Sequence, residues 1–252
     1  MGDTLALCYH AVSDRWPAGF AVPAAQIEWQ VKTLLNRGYV GATFRDAIFA
    51  PPATRTLTVT FDDAYRSVYD EARPVLESLG VPATVFVPTA LVGTERPMAW
   101  PGTDQWLDSP HAGELTPMSW DELGELSELG WELGSHTRTH PRLPALAAAT
   151  MREELEGSRA DLEERTGAPC ASIAYPYGDY DEAVVAASRQ AGFSAGGALA
   201  GRVRHPDAML WPRVGVYGKD GVARFRIKAS PAMRRVRETQ LWRARFLLRR
   251  RR

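Results

Sequence analysis

Three short segments of this 252-residue chain bring together side chains suited to binding a cation and moving a proton. Thr60-Phe61-Asp62-Asp63 ends an apolar run in two adjacent carboxylates. Burying one aspartate at a strand end is costly, and burying two side by side is worse unless a cation or a shared proton relieves the repulsion. Neighbouring strand residues face opposite ways, so this pair converges only where the strand bends into its loop. The plainer alternative is that one aspartate caps the following helix. The second segment is Gly134-Ser135-His136-Thr137-Arg138-Thr139-His140. Histidines four apart lie one helical turn from each other, so both imidazoles reach one ion if the segment turns helically. Two imidazoles and one carboxylate, with positions left for water and substrate, make a hydrolytic site for a divalent metal. The third segment is Ala174-Tyr175-Pro176-Tyr177-Gly178. Its proline and glycine fix a sharp turn that can aim a backbone N–H at a developing oxyanion. Taken alone it is only a turn.

The elements around these segments predict where they sit. Thr4–Tyr9, Thr56–Phe61, Ala83–Pro88, Trp131–Gly134, Ala171–Tyr175 and Leu210–Val216 read as strands. Helices are expected over Ala24–Asn36, Ser67–Leu79, Trp120–Leu129, Leu146–Arg165 and Asp181–Gln190. Several are closed by a glycine. Repeated β–α alternation predicts an α/β fold, with a parallel sheet closing into a distorted (β/α) barrel. Such a barrel carries its chemistry at the C-terminal ends of the strands, where all three segments fall. Between Thr89 and Met118 the periodicity is lost, and so long an irregular connection usually covers a site. Its Trp100 and Trp106 either stack on sugar rings or pin the loop to the barrel.

Taken in order and spacing, the three segments resemble the polysaccharide deacetylase (NodB-homology, carbohydrate esterase family 4) domain. Thr60–Asp63, His136–His140 and Ala174–Tyr177 match its three motifs, and the likeness covers about residues 4 to 217. The resemblance implies a single catalytic domain that removes N-acetyl groups from an amino-sugar glycan or glycoconjugate. It implies one divalent ion held by Asp63, His136 and His140, zinc by default with Co, Ni, Fe or Mn as alternatives. It also implies Asp62 as general base, the Tyr177 backbone N–H as oxyanion donor, and substrate contacts at Pro176 and Tyr177. Three departures stand out. Ala64 replaces a usual glycine. Ala174 replaces a usual arginine, a cation that Arg213 can supply from the last strand. No late Leu-x-His motif provides a general acid, and His205 is a poor match for one. Leu7-Cys8-Tyr9-His10 resembles the subset that takes this histidine from the N-terminal strand, which gives the role to His10. The remaining His111, in the long loop, is assigned none.

Composition narrows the setting. The overall net charge is zero, yet residues 224–252 hold twelve basic residues against Glu238, or +11. Residues 1–223 then hold 18 basic and 29 acidic residues, or −11. The expected organisation is a barrel over 1–223 and a basic amphipathic tail over 224–252. That tail, with Leu241, Trp242, Phe246, Leu247 and Leu248, suits an anionic membrane surface or a helix folded back on the domain. A nucleic-acid partner rests on the arginines alone and is disfavoured by the acidic barrel. The N-terminus lacks a basic n-region and no stretch is long enough to span a bilayer, so the expected location is cytoplasmic, peripheral to the inner membrane face. Cys8 and Cys170 are expected as reduced buried thiols. The alanine- and arginine-rich composition suits a bacterium. Other readings of the same residues are a sugar deformylase, a cyclic-amide hydrolase or a silent carbohydrate-binding module.

Overall fold

The computed structural model describes residues 2–200, 203 and 207–237. Its elements run β1 (Asp3–Tyr9), α1 (Ala24–Leu35), β2 (Val40–Gly41), α2 (Phe44–Phe49), β3 (Arg55–Asp62), α3 (Arg73–Ser78), β4 (Ala83–Val87) and α4 (Trp120–Glu128). They continue as β5 (Glu132–Ser135), α5 (Ala148–Thr166), β6 (Ser172–Ala174), α6 (Glu182–Gln190), β7 (Ala195–Leu199), β8 (Trp211–Gly215), α7 (Val222–Ala229) and α8 (Pro231–Arg237). Every strand pairing is parallel, in the order β1-β8-β7-β6-β5-β4-β3, and β1 pairs with β3 to close a seven-stranded barrel. The short β2 pairs only with the start of β3, through Val40↔Thr56 and Gly41↔Leu57. The ring is uneven: β1 and β3 share seven register pairs, whereas β5 and β6 share only Ser135↔Ile173.

Alternation along the strands divides two interiors. On β3, Leu57, Val59 and Phe61 join the large apolar cluster under the helices. Thr60 and Asp62 point the other way, into the lumen, where both meet Arg213 of β8. The lumen is otherwise plugged by a small separate cluster of Ala6, Phe44, Phe86, Ala174 and Ala195. Buried polar groups there must be paired, and that need shapes the site above the plug.

The expected elements are present; β2 and α2 were not expected, and three further points differ or add to the reading. The expected helix over 67–79 is split into a π-turn, Val68–Ala72, followed by α3. Pro74 has no N–H to continue the ladder, which accounts for the break. The sequence pattern did not reveal β7, because Ala-Gly-Gly-Ala-Leu has no β-branched residue. Its glycines are there for close approach: a Cβ on Gly197 would lie 2.6 Å from Arg213 Nε. Finally, α7 spans the expected boundary between 223 and 224 and buries Phe225 and Ala229. Phe225 packs on Trp29 of α1 at 5.7 Å, and Arg234 of α8 donates to the Thr4 carbonyl. His205 and residues 238–252 of the expected tail lie outside the described residues.

Candidate metal centre and active site

The three motif loops leave β3, β5 and β6 at the same end of the barrel. They hold all five non-glycine residues with left-handed backbone among the described residues: Asp63, Ala64, Thr137, His140 and Tyr177. Each such residue costs about 1–2 kcal/mol, so the loops are held in these shapes by their surroundings. At β3 the reversal at Asp63 (φ 75°) and Ala64 (φ 54°) aims two consecutive carboxylates into one cavity. Backbone bonds from Met118 to Ala64 O (3.0 Å) and from Arg66 to Thr116 O (2.9 Å) fix the bend.

The two aspartates then part company. Asp62 is gripped by Arg213, with Nη1 2.6 Å from Oδ1 and Nη2 2.9 Å from Oδ2. The Cys8 thiol donates to Oδ2 at 3.4 Å. Burial pushes the Asp62 carboxyl up, but the guanidinium outweighs it and holds the group well below the usual carboxylate range. Asp63 faces the histidines: its Oδ1 is 3.3 Å from His136 Nε2 and 3.4 Å from His140 Nε2. That oxygen is buried and has no hydrogen-bond partner. His136 Nδ1 lies 2.8 Å from the Ala174 carbonyl, which can only accept, so Nδ1 carries a proton and Nε2 is the nitrogen turned to Asp63. Burial drives His140 down to about 3, keeping it a neutral imidazole. For His136, burial is outweighed by Asp63 and Asp62, and the group is raised.

These residues fit a divalent ion. Ligand atoms at about 2.0–2.2 Å from zinc and at tetrahedral angles lie ~3.3–3.6 Å apart, close to the separations from Asp63 Oδ1 to the two nitrogens. A histidine whose second nitrogen donates to a backbone carbonyl is the usual form of a metal-binding imidazole. A second close set, Cys8, His10 and Asp62, does not fit, because the Arg213 guanidinium already neutralises Asp62 and would repel a cation beside it. The histidines do not meet through a helical turn: residues 136–140 form an irregular loop with Thr137 (φ 67°) and His140 (φ 59°) left-handed.

The other expected residues divide cleanly. His10, half-buried at the end of β1, lines the same cavity of about 270 Å³ as Asp62, Asp63 and Trp100. Its ring packs on Phe20 at 5.8 Å, and its Nδ1 has no partner. Trp100 stacks on His140 at 4.1 Å. Tyr177, left-handed at 56°, sets its ring 4.6 Å from that of His140 and beneath the Arg142 guanidinium. Pro176 is buried at the start of this turn and shapes it without lining the cavity. Trp106 is also absent from the cavity wall; it packs edge-on against Trp16 and His111, pinning the long loop. Phe20, Leu199 and Tyr217 also line the cavity, and no motif or spacing marked them beforehand. Gly197, where a side chain would meet Arg213, is the one trace the buried arginine leaves in β7.

A sequence model described as "Polysaccharide deacetylase" matches residues 50–196, a stretch that contains all three motifs. The chain belongs to the polysaccharide deacetylase family. Among curated members, the Bacillus subtilis (strain 168) protein YxkH, named as a polysaccharide deacetylase, is 26% identical over 195 residues. That match covers 75% of this chain, which spans only 62% of the relative's length. The Staphylococcus aureus (strain MSSA476) poly-β-1,6-N-acetyl-D-glucosamine N-deacetylase is 25% identical over 233 residues, 82% of this chain and 75% of that protein. Among solved structures, IcaB from Ammonifex degensii superposes with a TM-score of 0.71 at 25% identity, over 95% of this chain and 98% of that one. The Streptococcus pyogenes deacetylase PplD, solved with acetate, shares the fold at a TM-score of 0.72 and 19% identity, over 91% and 98% of the two chains. The NodB-type (β/α) barrel is therefore the fold of this family member.

Proposed function

We propose that this chain is a metal-dependent N-deacetylase acting on an amino-sugar glycan or glycoconjugate. The observation that carries the proposal is the division of labour between adjacent carboxylates. Asp63 turns an unpartnered oxygen to two imidazoles, while Asp62, tied to Arg213, is left outside that set. Asp63, His136 and His140 would hold a divalent ion, with zinc the default. When bound, it supplies Lewis acidity toward water and the acetamide carbonyl. Asp62, kept ionised and oriented by Arg213, accepts a proton from the attacking water. The Tyr177 backbone N–H donates to the carbonyl oxygen as charge develops there. His10 gives a proton to the departing nitrogen, which is otherwise a very poor leaving group. Trp100 offers a ring face to the sugar at the cavity wall. The activity named for the S. aureus relative supports an N-acetylated amino sugar as the substrate class.

Acetate release from a panel of N-acetylated saccharides, with and without a chelator, tests the reading. The expected results are acetate, loss of activity on chelation, recovery with zinc, and a fall of several orders of magnitude in kcat for Asp62→Asn with the metal retained. Formate release or ring opening in place of acetate would move the activity to another C–N bond. Turnover indifferent to chelator would remove the metal.

A further inference from the structure

We infer that Glu154, on α5, is a positioning residue that holds the His136–His140 loop in its ligating shape; the inference rests on the metal reading above. The loop reverses twice, at Thr137 and His140, both left-handed without being glycine. Each reversal costs about 1–2 kcal/mol, so an isolated loop would relax and carry the imidazoles apart. What opposes that relaxation is one face of α5. Glu154 is only 8% exposed. Its Oε2 accepts from the backbone N–H groups of Arg138 (2.8 Å) and Thr139 (2.9 Å), and its Oε1 accepts from Thr139 Oγ1 (2.6 Å). The two N–H groups lie between the reversals, so one carboxylate spans the segment that must stay bent.

Ser158 and Asp161, four and seven residues on, share the face. Ser158 Oγ lies 2.7 Å from Ser135 Oγ, which in turn accepts from the Thr137 N–H at 3.0 Å. Asp161 accepts from Arg138 Nε at 3.2 Å and from Thr89 Oγ1 at 2.6 Å. Gly157, between Glu154 and Ser158, leaves room for Arg138, since a Cβ there would lie 2.7 Å from Arg138 Cδ. Glu154 touches neither imidazole nor the cavity wall, and acts only through the backbone it holds.

The test uses the full chain, with zinc affinity measured by competition against a chromophoric chelator. Amide hydrogen exchange at residues 138 and 139 is followed in zinc-free protein. Glu154→Ala removes all three acceptors and should weaken zinc binding by about 10–100-fold. Glu154→Gln can present its carbonyl oxygen to both N–H groups and its amide to a rotated Thr139 hydroxyl. It should stay within about threefold of wild type. Thr139→Val deletes one bond at constant shape and should fall between the two, which keeps the test open should the alanine variant not fold. Exchange at 138 and 139 should be slow in wild type and Glu154→Gln and fast in Glu154→Ala. Unchanged zinc affinity and unchanged exchange in folded Glu154→Ala would overturn the inference. So would a Thr139→Val variant indistinguishable from wild type in both readouts. A wild-type protein that binds no zinc, yet shows this exchange pattern, would sink the metal reading and leave the loop clamp standing.

Discussion

Arg213 ties Asp62 down from β8, which β1 alone separates from β3 around the ring, and the position that admits it is Gly197. Putting a methyl group at Gly197 places carbon 2.6 Å from the arginine's Nε, inside any permitted contact. The guanidinium must then swing away, and Asp62 loses its orientation. Gly197→Ala should therefore lower kcat by about 10²-fold, the scale of an ångström-sized misplacement, while far-UV circular dichroism stays native. Wild-type turnover would show that Asp62 does not need the arginine. At this scale the sequence was legible where chemistry and spacing coincide: Asp62, Asp63, His136, His140 and His10 all face one cavity. Arg213 could be proposed because the motif's usual arginine is replaced by Ala174, whose carbonyl instead meets His136. Cys8 and Tyr217 were not legible as site residues, because a thiol and a strand-end tyrosine have ordinary structural uses; Glu154 stood in a Glu-Glu-Leu-Glu-Gly-Ser run that resembles the family, without a role attached to it.

At the scale of elements, pattern succeeded where side chains alternate or caps are strong, and failed where packing overrode propensity. β3 and α4 stand out through β-branched alternation and a capping box between Ser119 and Glu122. By contrast, β7 is built of alanine and glycine, and its strand conformation is imposed by its neighbours β6 and β8. Docking of α8 likewise depends on tertiary partners: Arg234 pairs with Asp3, which also accepts from Tyr39 Oη at 2.5 Å. Burial raises the Asp3 carboxyl, but bonds from Tyr39 and Arg234 outweigh it, and the group is lowered. Burial and the bond to Asp3 push Tyr39 up to about 12. A lowered carboxyl binds fewer protons folded than unfolded, so its contribution is present above the ordinary carboxylate range and fades as pH falls. A raised phenol behaves oppositely, and its contribution is lost as pH climbs past the ordinary tyrosine value toward 12. The thermal midpoint of wild type should thus exceed that of Asp3→Asn at pH 7, with the gap closing toward pH 3. A gap independent of pH would contradict the clasp.

Across the whole molecule, an acidic barrel is joined to a basic C-terminal stretch. No helix among the described residues is long and apolar enough to cross a membrane. Because Phe225, Ala229 and Arg234 pack on the barrel, a test of the stretch beyond them must keep the chain through Arg237. Full-length protein should co-sediment with anionic vesicles in a salt-sensitive way, and protein ending at Arg237 should not. Equal sedimentation of the two would assign the attraction elsewhere. The barrel itself was legible from β–α alternation, and with it the end at which the site had to lie. The proposed function places one divalent ion between Asp63, His136 and His140. Anomalous scattering at the zinc edge, from crystals grown with zinc, tests it most directly. The expected result is a single strong peak in this cavity, about 2.0–2.2 Å from one Asp63 oxygen and from Nε2 of both histidines. A cavity without a peak, or a peak seated among Cys8, His10 and Asp62, would contradict it.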